Sequence, residues 1–77
     1  MSKYIATFFS HYDALTFFAY VKEQGIQAKL APVPRKVSAS CGTCVIFETD
    51  AQIDFKDHEL EAVYRQTDSG FVIITAL

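Results

Sequence analysis

The sequence has little of what marks secreted, membrane and nucleic-acid-binding proteins. It holds two cysteines in 77 residues, too few for a disulfide framework. No apolar run approaches the ~20 residues that span a bilayer, and no secretory signal pattern opens the chain. Lys and Arg are fewer than Asp and Glu, and the net charge of −2 argues against nucleic acid as the main partner. We therefore expect a cytoplasmic protein without a membrane or nucleic-acid partner.

Motifs of common enzyme classes are also missing. There is no Gly-rich phosphate loop and no Ser-His-Asp pattern with supporting context, so hydrolase chemistry is not indicated and no cofactor is expected. The composition nevertheless favours folding, because 51% of residues are hydrophobic and only 21% are charged. At this length, we expect a single domain over residues 1–77 with one small core.

Apolar patterning predicts six elements. They are a strand at 4–9, a helix at 11–24, strands at 26–30 and 44–48, a helix at 54–66 and a strand at 71–76. Right-handed crossovers in this βαββαβ order predict an α+β fold of the ferredoxin-like split βαβ class, with four antiparallel strands under two helices. This topology would bring His11 to the same end of the sheet as Cys41, with residues 67–70 nearby and His58 at the other end.

The first predicted helix has clear end signals. Ser10 is a candidate N-cap with Asp13 as its acidic partner, and Gly25 can adopt the left-handed conformation that ends a helix. The predicted buried stripe consists of Ala14, Leu15, Phe18 and Val21. Phe17 and Tyr20 widen the apolar surface, and packing on the sheet is favoured over a subunit contact.

The candidate site is the connecting segment 34–44, which contains both cysteines. A cysteine acts as a nucleophile or sulfur carrier only as the thiolate, so Cys41 needs surroundings that lower its pKa. The residues expected to supply positive charge, hydroxyl donors or close backbone N–H groups are Arg35, Lys36, Ser38, Ser40 and Gly42. The predicted N-terminus of the first helix would add partial positive charge from the same end.

Cys44 completes a Cys-x-x-Cys motif with Cys41 and leaves several interpretations open. Such a pair can close a disulfide, with one thiol attacking and the other resolving. The motif runs into a strand rather than a helix, so a thioredoxin-type site is not supported. A zinc site would need His11 and a ligand from a second subunit. A further interpretation is that Cys44 is a small buried residue without reactivity. His58 lies among Asp57, Glu59 and Glu61, which we interpret as a solvated helix face.

Several of these residues together resemble the DUF3343 family of putative selenium/sulfur carrier-like proteins, which are small and bacterial. The matching residues are Ser10, Asp13-Ala14-Leu15, Lys22-Glu23, Gly25-Ile26, Pro34-Arg35, Ser38-Ala39-Ser40-Cys41-Gly42 and Phe47. The Pro-Arg…Ser-x-Ser-Cys-Gly segment is the specific part of the match. The resemblance implies that Cys41 could hold sulfur or selenium for transfer.

Two hypotheses follow. The first is a sulfur or selenium carrier, or a sulfur-relay accessory protein rather than a stand-alone enzyme, which holds a persulfide or selenide on Cys41 and exchanges it with a donor or acceptor protein. The alternative is a non-enzymatic ferredoxin-like interaction or regulatory domain, with a redox- or zinc-responsive Cys-x-x-Cys. In that alternative, Phe17, Phe18 and Tyr20 would help to form a homo-oligomer.

Overall fold

A computed structural model of the protein describes residues 2–37, 39–50, 55 and 60–76. Its elements are β1 (Ser2–Thr7), α1 (His11–Glu23), β2 (Gln27–Pro32), β3 (Thr43–Thr49), β4 (Ala62–Thr67) and β5 (Gly70–Ala76). The five strands form one antiparallel sheet in the order β2-β3-β1-β4-β5. The predicted α+β class is confirmed, but the predicted count of four strands is wrong.

The predicted second helix is wrong where the structure describes it. Residues 62–66 belong to β4, which pairs with β1 through Ile5 and Tyr64 and forms a hairpin with β5. The rest of that prediction, at Asp54 and residues 56–59 with His58, lies outside the described residues. Long-range pairing decides the conformation here, because helix propensity is a weak preference that tertiary contacts override.

The predicted ends of α1 are confirmed. The Asp13 N–H donates to Ser10 Oγ at 3.2 Å, and the Ser10 hydroxyl donates to Asp13 Oδ2 at 2.8 Å. Both contacts satisfy polar groups at the start of the helix. Gly25 follows the last turn with φ of 77°, a conformation that glycine adopts without a Cβ penalty.

The buried face of α1 differs from the predicted stripe. Ala14, Phe17 and Val21 are buried, whereas Leu15 is 42% exposed and Phe18 is only half-buried. Spacings of three and four residues place the three buried side chains on one side of the helix, and Leu15 lies about 200° around the axis from Phe17. Phe17 therefore packs into the core, as the sheet-packing interpretation of this helix expected.

The main core lies between α1 and one face of the sheet. Its buried members are Ala6, Phe8, Ala14, Phe17, Val21, Val45, Phe47, Leu60 and Val63. Phe17 lies among other aromatic rings, with centroids 5.5 Å from Phe8, 5.6 Å from Phe47 and 6.2 Å from Phe55. These distances are typical of stabilising aromatic pairs.

A second set of buried side chains lies on the opposite face of the sheet. Side chains alternate along a strand, so Thr7, Cys44 and Ala62 point away from the face that α1 covers. The three residues are neighbours across β3, β1 and β4, and all are buried. Cys44 therefore belongs to this set rather than to the main core.

The strand directions bring the carboxyl ends of β1 and β2 together with the amino ends of β3 and β4 at one end of the sheet, here called the site end. The connection between β2 and β3 lies there, as predicted. The turn between β4 and β5, at residues 67–70, lies at the other end, so its predicted nearness to Cys41 is wrong. The error has the same origin as the second helix, because these residues follow β4 rather than a crossover helix.

The outer strand β5 exposes apolar side chains. Val72, Ile73 and Ile74 are 42–52% exposed, and the strand carries no charged residue. The opposite edge, β2, contains Lys29 and Pro32, which are residue types that hinder edge-to-edge association. Among the described residues, no helix is long and apolar enough to cross a membrane.

Candidate functional site

The Cys41 loop, defined as residues 33–42, is closed by backbone hydrogen bonds. The Val33 N–H donates to the Gly42 carbonyl at 3.1 Å, which holds the two ends of the loop together. The Val37 N–H donates to the Pro34 carbonyl at 3.0 Å, which forms a turn, and the Val37 side chain is buried. Hydrogen bonds thus fix the two ends of the Cys41 loop and the turn within it, and the segment around Cys41 lies near the surface.

Cys41 is half-buried, and its sulfur accepts a hydrogen bond. The Thr43 N–H donates to Cys41 Sγ at 3.4 Å. The Thr43 hydroxyl in turn lies 3.1 Å from His11 Nδ1 at the start of α1. The structure therefore brings His11 to the neighbourhood of Cys41, through Thr43 rather than by direct contact. Sequence reasoning did not identify Thr43, since a backbone N–H carries no residue-type signal.

Ser40 is bound at two points by Glu61. The Ser40 N–H donates to Glu61 Oε1 at 2.9 Å, and the Ser40 hydroxyl donates to Glu61 Oε2 at 2.6 Å. The hydroxyl expected to face the sulfur is thus engaged with a carboxylate. Glu61 lies at the site end just before β4, so its assignment to a solvated helix face is wrong.

The position of Glu61 is fixed by the end of β1. Its N–H donates to the Thr7 carbonyl at 2.8 Å, and the buried Thr7 hydroxyl donates to the Ala62 carbonyl at 3.3 Å. Two bonds from one residue thus hold the start of β4 against β1. Only the register between these strands places Glu61 beside the loop, and no local pattern in the sequence could have indicated it.

The two cations of the loop are at its exposed turn. Arg35 and Lys36 occupy the tip of the turn that Val37 closes, and neither makes a hydrogen bond to the Cys41 sulfur among the described residues. Gly42 is exposed, and a Cβ added there would meet no atom within 4 Å from residues other than its neighbours Cys41 and Thr43. Ser38 lies outside the described residues.

Cys44 differs sharply from Cys41 in its surroundings. Its side chain is 0% exposed, and its thiol donates to the Pro32 carbonyl at 3.7 Å. Burial raises the pKa of the Cys44 thiol, because the charged thiolate loses hydration. Both cysteines are free thiols. At neutral pH Cys44 is therefore a neutral, protected thiol.

The raised pKa of Cys44 predicts a pH dependence of stability. The folded state binds the thiol proton more tightly than the unfolded state, so this contribution is complete below the unfolded thiol pKa of about 8.5 and is lost as pH rises through the folded value. We expect the unfolding free energy of the wild type to fall more steeply above about pH 8.5 than that of Cys44→Ala. Urea unfolding across this pH range measures the difference, and parallel profiles would contradict it.

The site offers one partly exposed cysteine in a loop with fixed ends, and a backbone N–H donates to its sulfur. Among residues 2–37, 39–50, 55 and 60–76, no group of three or more His, Cys, Asp or Glu side chains is arranged to hold a metal ion. The geometry suits nucleophilic attack by Cys41 on a group presented from outside the protein.

A comparison with models of protein families gives a match over most of the chain. The family model described as "Putative Se/S carrier protein-like" matches residues 3–64, which covers β1 through the first part of β4 and includes the whole Cys41 loop. Searches of curated proteins and of solved structures returned no significant match. The resemblance noted in the sequence is confirmed. Because the match covers most of the chain, the protein belongs to the Putative Se/S carrier protein-like family.

Proposed function

We propose that the protein is a cytoplasmic carrier that holds sulfur or selenium on Cys41 and passes it between a donor and an acceptor protein. The observation that carries this proposal is the difference between the two thiols of the family-matched segment. Cys41 is partly exposed and its sulfur accepts a hydrogen bond from an N–H group, whereas Cys44 is fully buried. A carrier needs one thiol that a partner can reach.

The loading step requires no external oxidant. The Cys41 thiolate attacks the terminal sulfur of a donor persulfide, the donor S–S bond breaks, and the donor leaves as a thiolate. The new bond joins Cys41 Sγ to the transferred sulfur, so the number of S–S bonds is unchanged. The Thr43 N–H, which now donates to Cys41 Sγ, would support negative charge near the transferred atom.

In this proposal Cys44 is the resolving thiol, which discharges the persulfide on Cys41. Its thiolate can attack Cys41 Sγ of the persulfide, which forms a Cys41–Cys44 disulfide and releases hydrosulfide. The burial of Cys44 makes this discharge slow, because its thiol must first be exposed and deprotonated. A buried resolving cysteine therefore protects the loaded state until the Cys44 thiol becomes exposed.

Sulfur loading tests the proposal directly. The purified protein is incubated with a cysteine desulfurase and cysteine, and intact mass is then measured. We expect the wild type and Cys44→Ala to gain one sulfur atom and Cys41→Ser to gain none. Since Cys44→Ala removes the other thiol, it is the matched control for loss of a cysteine. A sulfur adduct that persists in Cys41→Ser would refute the assignment to Cys41.

The exposed strand β5 favours the alternative, a non-enzymatic interaction or regulatory domain that forms oligomers. Val72, Ile73 and Ile74 present apolar surface at an uncharged edge. In this alternative the wild type would not load sulfur, and its sedimentation coefficient would increase with concentration. Oligomerisation through the buried Phe17 is not part of this proposal, because that side chain is 1% exposed.

We also propose that the first four strands are a variant of the ferredoxin-like split βαβ arrangement. Their order, β2-β3-β1-β4, places β1 and β3 at the centre, and β1 and β2 run parallel to each other with α1 between them in the chain. In this interpretation β5 is an added edge strand. Phe55, whose ring lies 6.2 Å from Phe17, places the connection between β3 and β4 on the helix side of the sheet at that residue.

A further inference from the structure

The contact between Glu61 and Ser40 has no part in the sulfur-transfer step described above. It uses both carboxylate oxygens, one for the Ser40 N–H and one for its hydroxyl. Hydrogen bonds to an ionised carboxylate are stronger than those between neutral groups, and two of them restrict rotation as well as distance. The carboxylate therefore fixes both the backbone and the side chain of the residue that precedes Cys41.

The carboxylate is itself attached to a rigid part of the fold. The Glu61 N–H donates to the Thr7 carbonyl at the end of β1, and Thr7 is fully buried. Beyond Cys41, Thr43 is the first residue of β3 and pairs with Pro32 of β2. The chain around Cys41 is thus held on one side by Glu61 and on the other by the sheet.

We propose that Glu61 is a positioning residue, which holds Cys41 Sγ against the Thr43 N–H in the arrangement that receives sulfur from a protein donor. This inference rests on the proposed carrier function. A protein donor must bring its persulfide into line with a sulfur at a defined place, whereas a small reagent can approach a mobile thiol from many directions. Loss of Glu61 should therefore slow transfer from a protein much more than reaction with a small molecule.

Two substitutions of Glu61 distinguish its positioning of Ser40 from the effect of its negative charge. In Glu61→Gln, the amide oxygen can accept from the Ser40 N–H and the amide nitrogen can donate to Ser40 Oγ, so both contacts can remain without the charge. Glu61→Ala removes both contacts. Glu23→Ala is the control for loss of a carboxylate, because Glu23 is exposed at the far end of α1.

The experiment compares these three variants with the wild type by backbone amide exchange, by alkylation with iodoacetamide and by sulfur transfer from a loaded desulfurase. In Glu61→Ala we expect the Ser40 and Thr43 amides to exchange at least about tenfold faster, and the Thr43 amide resonance to shift. Transfer should slow about tenfold or more, while alkylation of Cys41 changes less than about threefold. Glu61→Gln and Glu23→Ala should stay within about threefold of the wild type in all three measurements.

Three results would overturn the inference. Glu61→Ala could match Glu23→Ala in exchange and transfer, which would show that the contact positions nothing. Glu61→Gln could lose transfer as severely as Glu61→Ala, which would make charge rather than position the cause. If the wild type itself takes up no sulfur, the carrier function fails separately, and unchanged Ser40 and Thr43 exchange in Glu61→Ala would then reject the positioning role as well.

Discussion

Replacing Phe17 by alanine is expected to lower the unfolding free energy by about 3–5 kcal/mol, the range for large aromatic side chains removed from a core. Phe17 is 1% exposed and lies among the rings of Phe8, Phe47 and Phe55, so the lost side chain leaves a cavity between α1 and the sheet. A domain of this size has a net stability of about 4–12 kcal/mol, so the substitution removes much of it.

Leu15→Ala is the matched control, on the same helix and also an apolar side chain cut to alanine. Leu15 is 42% exposed, and we expect a loss of about 1 kcal/mol or less. Urea unfolding followed by circular dichroism gives both values. Phe17→Leu, which leaves a smaller cavity, provides a folded variant if Phe17→Ala does not fold. Equal losses at the two positions would contradict the orientation of α1.

Native alkylation is expected to modify Cys41 at least about 100-fold faster than Cys44. Cys41 is half-buried in a surface loop, whereas Cys44 is inaccessible until the structure opens locally. A factor of 100 corresponds to an opening free energy of about 2.8 kcal/mol, within the range for partial unfolding of a small domain. The raised pKa of Cys44 acts in the same direction by reducing its thiolate fraction.

Single-cysteine variants allow the alkylation rate of each thiol to be measured separately. Cys44→Ala leaves only Cys41, and Cys41→Ser leaves only Cys44. Both are treated with iodoacetamide in buffer and in urea, and the adduct is followed by mass. In urea the two rates should agree within about threefold, since burial no longer separates the thiols. Rapid modification of Cys44 in buffer, at its rate in urea, would show that the structure does not protect it.

Features encoded by neighbouring residues were predictable from the sequence. Ser10 with Asp13 begins α1 and Gly25 ends it, because capping depends on residues within one turn of each other. Val45 and Phe47 also follow a local pattern, because residues two apart in a strand share a face, and both belong to the core beside the helix. In both cases a short local pattern fixes the structure.

The sequence-based predictions that were wrong concern residues whose structure depends on distant contacts. Residues 61–66 contain good helix formers, yet β4 forms because it pairs with β1 and β5. The short connection at Asp68 and Ser69 between two β-prone runs was a usable hairpin signal. Glu61 is different, because it contacts Ser40 across 21 residues and only the strand register puts it there. The residue types of the loop lead to the hypothesis of sulfur chemistry at Cys41, but they do not indicate that Glu61 binds the loop.

The contacts that hold the Cys41 loop also form late, after both cysteines have been synthesised. They join residues 21 and 32 positions apart, and closing such lengths of chain costs entropy. During synthesis the N-terminal part of the chain emerges first, so both thiols leave the ribosome before Glu61 and β4 can reach β1. In this interval an oxidant or electrophile meets two similar thiols. The nascent chain can therefore be modified at Cys44 in a way that the finished protein resists.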